Sequence, residues 1–329
     1  MAAITHTPVL LQEVLDNLPV PPAGRVLDLT LGLGGHAEAI LARADADTRY
    51  LGVDRDPWAR EQAQARLGTD ARLSILADTH EDVWDNPAFQ AWMHLQAPHG
   101  LDVVLMDLGV SNLQLRDSAR GFSFMVEGPL DMRMDTEHGP TALQWLAEQT
   151  DETLADAIYA YGEERASRPI ARAILRAFHA GALHTTLDLA AAIYTVLPRE
   201  IARRKKQIDP ATRTFQAIRI AVNGELIRLA QVIEQAVAAL APGGRVGIIS
   251  FHSLEDRIAK QTLRRLAGVY DGPGRFAPEA LPQHLKLIHA GGLKAGAAET
   301  EANPPSRSAR LRLGERLPGP VSSRTSHER

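Results

Sequence analysis

The stretch Asp28-Leu-Thr-Leu-Gly32-Leu-Gly34-Gly35-His36-Ala37 combines an acidic residue, three glycines and a histidine within ten positions. Glycines in such a turn let the backbone approach a ligand closely, and a helix opening behind them presents unpaired N–H groups. Three further acidic positions follow hydrophobic runs. Asp54 stands roughly 20 residues beyond the glycines, where a carboxylate accepts hydrogen bonds from ribose hydroxyls; it also suits a cap ahead of the helix that Pro57 opens. Asp78 and His80 close the next run, with His80 readable as an adenine contact or as a solvated loop residue. Asp107 ends Met106-Asp107-Leu108-Gly109-Val110-Ser111, where a carboxylate can hold an amine and aim its lone pair at an electrophile, or simply cap a helix. The spacing Gly32, Gly34, Ala37 followed by Asp54 fits both nicotinamide enzymes and adenosylmethionine enzymes.

Positioning these residues at one rim requires strands that run in parallel. Arg25 to Leu29, Tyr50 to Val53, Leu73 to Leu76 and Asp102 to Met106 are short apolar runs separated by helix-length segments, the pattern of right-handed βαβ units. The expected fold is α/β, a doubly wound, mostly parallel sheet. From about Leu113 to Pro210 only helical periodicity is found, for example in Ala142 to Glu148, Leu154 to Tyr161, Pro169 to Phe178 and Leu187 to Leu197. An all-helical insertion over 113–212 follows, with 1–112 and 213–329 forming one discontinuous domain. Thr214 to Leu240 reads as a long helix or a broken pair, Arg245 to Ser250 as a further buried strand, and Leu254 to Leu266 as a helix. Gly272 to Pro305 reads as a weakly structured connection, and the alternation from Arg310 to Leu317 as a final antiparallel edge strand.

The 329 residues are 45% hydrophobic and 23% charged, the balance of a globular protein with a sizeable core, and length alone suggests about two domains or one elaborated one. The chain has no cysteine, which excludes disulfides, thiolate zinc sites and a cysteine nucleophile and points to the cytosol. No stretch approaches the ~20 apolar residues that cross a bilayer, so no membrane partner is expected. No metal motif is present. A net charge of −4 argues against a globally basic nucleic-acid binder. Locally, Arg199 to Arg219 and the group Arg307, Arg310, Arg312 and Arg316 are basic, the footprint a phosphate backbone needs. On these clusters alone, a non-enzymatic RNA-binding module is an alternative.

The ordered motifs carry a family resemblance. They are His6-Thr-Pro-Val-Leu-Leu-Gln-Glu13, the Asp28 to His36 loop, Gly52-Val-Asp54-Arg-Asp-Pro57, Asp107-Leu-Gly-Val-Ser111 and Arg120-Gly-Phe-Ser-Phe124. Gly128-Pro-Leu-Asp-Met-Arg-Met-Asp135, Tyr161-Gly-Glu-Glu-Arg165, Pro210-Ala-Thr-Arg-Thr-Phe-Gln216, Ile249-Ser-Phe-His-Ser-Leu-Glu-Asp-Arg257 and Ser306-Arg-Ser-Ala-Arg-Leu-Arg312 complete them. Over nearly its full length the chain resembles the ribosomal RNA small subunit methyltransferase H family, which methylates N4 of a cytosine in 16S rRNA with S-adenosylmethionine. The resemblance implies a Rossmann-like class I methyltransferase domain carrying a helical substrate-recognition insertion. It places cofactor contacts on Gly34, Gly35, His36, Asp54, His80, Asp107 and Gln114, and leaves Asp107 as the catalytic candidate. The partner it implies is 16S rRNA within the small ribosomal subunit, and a homodimer is compatible with it.

The chain departs from the family pattern at three places. It reads Ser111-Asn112-Leu113-Gln114 where Ser-Ser-Pro-Gln is usual, His80 where an aromatic residue is frequent, and Pro305 where arginine is common. Attack by an exocyclic amine needs no enzyme thiolate, whereas methylation at cytosine C5 does, so the missing cysteine disfavours a C5 enzyme. Phe122 or Phe124 is expected to flank the target base, with Lys205 and Lys206 among the phosphate contacts. The readings held against this one are a nicotinamide-dependent oxidoreductase, an N-methyltransferase of the same fold acting on another nucleic acid, and the RNA-binding module above.

Overall fold

The computed structural model describes residues 7–204, 208–270 and 282–319, so His6, Lys205 and Lys206 lie outside the described residues. The chain divides into two compact units, Met1–Gly109 with Ile227–Arg329, and Val110–Leu226.

The first unit is built on seven strands: β1 (Arg25–Asp28), β2 (Arg49–Asp54), β3 (Leu73–Ala77), β4 (Leu101–Asp107), β5 (Leu240–Ser250), β6 (Leu285–Leu293) and β7 (Arg310–Arg316). Their order is β3-β2-β1-β4-β5-β7-β6. The pairs from β3 through β5 are parallel, and β7 runs antiparallel to both β5 and β6. Parallel strands covered on both faces read as continuous apolar runs, and Val103 through Met106 of β4 are all buried. The sheet order reverses between β1 and β4, which opens a crevice at their carboxyl ends.

Local chemistry sets the helices. Asp56 accepts a hydrogen bond from Trp58 N at 3.0 Å with Pro57 in the first turn, so helix Pro57–Leu67 starts there. Helix Ser253–Leu266 begins on His252 and Glu255, which cap each other's backbone, and ends on Arg264 and Arg265. Helix Leu11–Asn17 buries Val14, and Leu10 and Leu18 beside it join Val26, Ile40, Leu311 and Leu313 in one core cluster. No described helix is long and apolar enough to cross a membrane.

Two expectations for the C-terminal region are corrected. The segment read as a weakly structured connection contains β6 and helix Ala297–Ala302. Accordingly β7 is not the edge: it lies inside the sheet with β6 outside it. The composition of β6 hid it, because His289-Ala-Gly-Gly292 interrupts the alternation, His289 takes φ 51°, and the ladder shifts between Ile288 and Leu293.

The second unit is helical. Its helices are Asn112–Arg116, Ala142–Ala147, Asp151–Gly162, Ser167–His179, Thr186–Tyr194, Arg199–Arg204 and Pro210–Asn223. Their core is formed by Leu146, Leu154, Ile158, Ile170, Ile174, Leu189, Ile193, Phe215 and Ile218. Thr214 to Leu240 is a broken pair, Pro210–Asn223 ending at Gly224 in the left-handed region and Leu229–Ala239 following. The division between units falls after Leu226, so the first helix of that pair belongs to the helical unit.

The C-terminal arginines are largely structural. Arg312 is 6% exposed and donates to both oxygens of Asp256, at 2.7 and 2.9 Å. Arg316 donates to the carbonyls of Ala238 and Leu240, and Arg310 to that of Gly291, while Arg307 is exposed. Losing a largely buried charge pair costs about 2 kcal/mol, between the surface and fully buried limits. Arg312→Leu is therefore expected to lower the thermal midpoint by about 4–8 °C, and Arg307→Leu to leave it unchanged within about 1 °C; differential scanning calorimetry on the two variants tests the assignment.

Candidate active site

Three carboxylates stand at the carboxyl ends of neighbouring strands: Asp28 on β1, Asp54 on β2 and Asp107 on β4. Each has a different set of partners. Asp28, 1% exposed, accepts the Tyr50 hydroxyl at 2.8 Å and the Thr30 backbone N–H at 3.0 Å. Burial pushes its carboxyl up to about 6, and the bonds from Tyr50 and Thr30 offset only part of that rise. Asp54 accepts Gly32 N at 2.7 Å on one oxygen and Asp56 N at 2.8 Å on the other. It thus braces the glycine loop from β2, and the helix cap at Pro57 is Asp56 instead.

Asp107 has the fewest partners. Its backbone N–H donates to Thr30 Oγ1 at 2.5 Å, and its Oδ2 lies 3.6 Å from His36 Nδ1. Its Oδ1 is buried with no hydrogen-bond partner. Burial first, then the charges of Asp28 and Glu255, hold this carboxyl well above the usual carboxylate range. It caps no helix; the next one, Asn112–Arg116, is capped by Ser111. His36 is fixed from behind, Nε2 lying 3.1 Å from the Val9 carbonyl.

The glycines divide by function. Gly32 (φ 53°) and Gly34 (φ 75°) adopt the left-handed backbone that a side chain resists. A side chain at Gly32 would meet nothing nearer than the Thr30 carbonyl at 3.8 Å, so the approach to that backbone is open to a ligand. At Gly35 a Cβ would stand 2.6 Å from Pro8 Cγ, and at Gly34 3.0 Å from Leu67 Cδ1. Those two glycines are needed for packing within the protein. An open left-handed glycine, a helix N-terminus at Gly35 and a buried carboxylate oxygen without a partner together fit a polar, partly cationic cofactor such as S-adenosylmethionine.

His80 is 7% exposed, not a solvated loop residue. Its Nε2 lies 3.2 Å from Glu81 Oε1, and burial together with the Arg55 and Arg228 charges pulls it down to about 3, so it is neutral at physiological pH. Sequence reasoning missed Thr30, Tyr50 and Glu255 as members of this rim. Tyr50 meets Asp28, and Thr30 meets Asp107, only through sheet register, whereas the bond from Thr30 N to Asp28 is a local one. Glu255 is 1% exposed and accepts Phe251 N at 2.8 Å within the His252 to Glu255 cap; a capping-box spacing was its one local signal.

Gln114 belongs to the second unit, where its Oε1 accepts Ser111 N at 2.7 Å in a capping box. The motifs around it tie loops together. Arg120 donates to the carbonyls of Arg133 and Met134, and Asn223 bonds both Met132 O and Met134 N. Phe122 is in the core of this unit and not a base platform; Phe124 packs edge-on against Phe215, with ring centroids 5.2 Å apart. Arg199, Arg213 and Arg219 are paired with Asp209, Glu164 and Glu225.

A folded carboxyl that holds its proton more tightly than the unfolded one opposes folding once pH rises past its unfolded value, and the penalty is complete above the folded value. For Asp28 that window runs from 3.8 to about 6. Asp28→Asn is therefore expected to gain on the native protein between pH 4 and pH 7, by up to about 3 kcal/mol. Urea denaturation of both at the two pH values checks this, and a constant difference would refute the assignment.

The MraW methylase family profile matches residues 3–317. The chain is 46% identical to a ribosomal RNA small subunit methyltransferase H of Xanthomonas oryzae pv. oryzae over 95% of this chain and 89% of that one. It is 45% identical to that of Stenotrophomonas maltophilia over 94% and 93%. Among solved structures, an rRNA methylase of Streptococcus thermophilus aligns over 96% of this chain and 100% of that one, at 10% identity and a TM-score of 0.39. The glycine spacing alone admits a nicotinamide enzyme, but the match over nearly the whole chain decides between the two cofactors. The chain belongs to the MraW methylase family.

Proposed function

We propose that this protein transfers a methyl group from S-adenosylmethionine to the exocyclic N4 amine of a cytosine in 16S rRNA, acting in the cytosol on the small ribosomal subunit. The observation that carries the reading is Asp107, a half-buried carboxylate with one buried, unpartnered oxygen at the end of β4, beside the crevice where the sheet order reverses. Its position is what an amine nucleophile needs. Family membership and the relatives' names supply the substrate class.

S-adenosylmethionine, when bound, supplies a methyl group on a positively charged sulfur. The remaining work is positioning. Gly32 and the N-terminus of helix Gly35–Arg43 form the cradle, with Gly34 and Gly35 letting it pack against Leu67 and Pro8, Asp54 braces Gly32 and offers its carboxylate to ribose, and neutral His80 lines the adenine end. A cytosine amine is a weak nucleophile because its lone pair is delocalised into the ring. Asp107 accepts one amine N–H, which pyramidalises the nitrogen and directs the lone pair along the line of displacement. Once the amine has been methylated, Asp107 would take the proton that the nitrogen gives up.

The helical unit supplies RNA recognition. Met125, Val126 and Leu187 are exposed there, and Thr186 Oγ1 ties the loop to its neighbouring helix by donating to the Val126 carbonyl at 2.9 Å. Arg199 Nη2 lies 3.8 Å from Met125 Sδ, and Arg204 is exposed. An apolar surface edged by cations suits an unstacked base and its phosphates.

The test is incubation with labelled donor and small subunits from cells lacking the endogenous activity, followed by mass spectrometry of the RNA. Labelled N4-methylcytosine is expected, and Asp107→Asn is expected to lower kcat at saturating donor by at least about a hundredfold. Absence of label on both subunits and naked RNA would overturn the assignment of substrate.

A further inference from the structure

His36 faces Asp107 from the start of helix Gly35–Arg43, Nδ1 to Oδ2 at 3.6 Å. Its other ring nitrogen, Nε2, lies 3.1 Å from the Val9 carbonyl, which can only accept. Nε2 therefore carries a proton in every state of the ring, and in the neutral ring Nδ1 is the basic nitrogen turned toward Asp107. His36 is buried and Asp107 half-buried, and the charges of two further acids act on Asp107: Asp28 of β1, itself bonded to Tyr50 of β2, and Glu255 of helix Ser253–Leu266.

A protonated Asp107 can still accept the amine N–H on its carbonyl oxygen, but it cannot take up the proton that the proposed reaction releases. We propose that His36 is the positioning residue that makes Asp107 a proton acceptor, taking the carboxyl proton on Nδ1 so that Asp107 meets the amine as a carboxylate. This inference rests on the methyltransferase reading above and deepens it. The resting pair shares one proton. When it sits on His36, imidazolium and carboxylate form an ion pair, and the substrate amine donates to the carboxylate. After transfer, the methylated nitrogen carries an extra proton, its N–H bond breaks, and Asp107 takes that proton. His36 stays charged through the step, so no proton has to cross from it, and Asp107 returns its proton to solvent as product leaves. The Val9 carbonyl holds the ring in the orientation that permits this.

Two measurements test the pairing, one of which needs no activity. By 15N NMR of the imidazole in the protein alone, His36 is expected to show a proton on Nε2 when neutral and to titrate at lower pH in Asp107→Asn, by about one unit, because the carboxylate that favours the charged ring is gone. In kinetics at saturating donor and RNA, His36→Gln, which can keep a bond to Val9, and His36→Asn, which keeps a donor near Nδ1, are both expected to lose at least about tenfold in kcat at pH 7. The acid limb of the kcat profile should move about one pH unit upward in both, with the KM for either substrate little changed. A merely structural role would lower the rate equally at every pH and leave the limb in place. That outcome, or a His36 titration indifferent to Asp107→Asn, overturns the inference. If wild-type protein methylates no RNA while the NMR coupling is present, the methyltransferase reading fails and the pairing stands.

Discussion

Burial of acidic side chains at the carboxyl ends of β1, β2 and β4 is the constraint on which this molecule is organised. An isolated carboxylate removed from water is expensive, and several together repel. The sheet tolerates them because each is treated differently. Asp54 is held by two backbone N–H groups, Asp28 by a phenol and one amide, and Asp107 by neither. The partners fall off toward the point where the strand order reverses. Asp54 and Asp28 spend their hydrogen bonds on the loop and its neighbours, and Asp107 keeps one oxygen unspent.

The same hierarchy explains how the glycine loop keeps its shape. Gly32 and Gly34 would be loose in isolation, since glycine loses more freedom on folding than any other residue. Asp54 fixes Gly32 from one side, Thr30 joins the loop to the backbone of Asp107, and Pro8 and Leu67 close over Gly35 and Gly34. Helix Leu11–Asn17 and the extra strands β6 and β7 extend the apolar cluster under this loop, with Leu10, Val14, Leu311 and Leu313 all buried. The antiparallel addition thus has a mechanical role in the site although none of its residues belongs to the rim.

What was legible in the sequence is what is encoded over a few residues. The parallel strands showed as apolar runs, the helical unit as a period near 3.6, and the ligand rim as Asp or Gly at the ends of runs. Tyr50 was not legible, because its partnership with Asp28 arises from register between strands, and neither was the bond from Asp107 N to Thr30 Oγ1, although Thr30 meets Asp28 by local spacing. The arginines misled for a related reason: charge can be counted in a sequence, but its partner cannot. Arg312, Arg219 and Arg213 are each committed to an acid, and Arg120 to two carbonyls. β6 was lost because a strand bent through His289 and two glycines has the composition of a loop.

Both units pair arginines with acids, and the sheet unit differs in leaving one buried carboxylate oxygen of its rim without a partner. In the helical unit, Arg120, Arg199 and Arg219 neutralise acids or tie loops. In the sheet unit the rim acids keep unmet electrostatic demand, which is a cost to the folded state that only a ligand offering N–H donors or positive charge removes. Substitutions that satisfy Asp107 from within would stabilise the protein and close the site, whereas those that satisfy Arg120 or Arg219 are already native. An unmet hydrogen-bond demand supported by an over-determined scaffold is how a fold of marginal stability keeps one place open to a ligand.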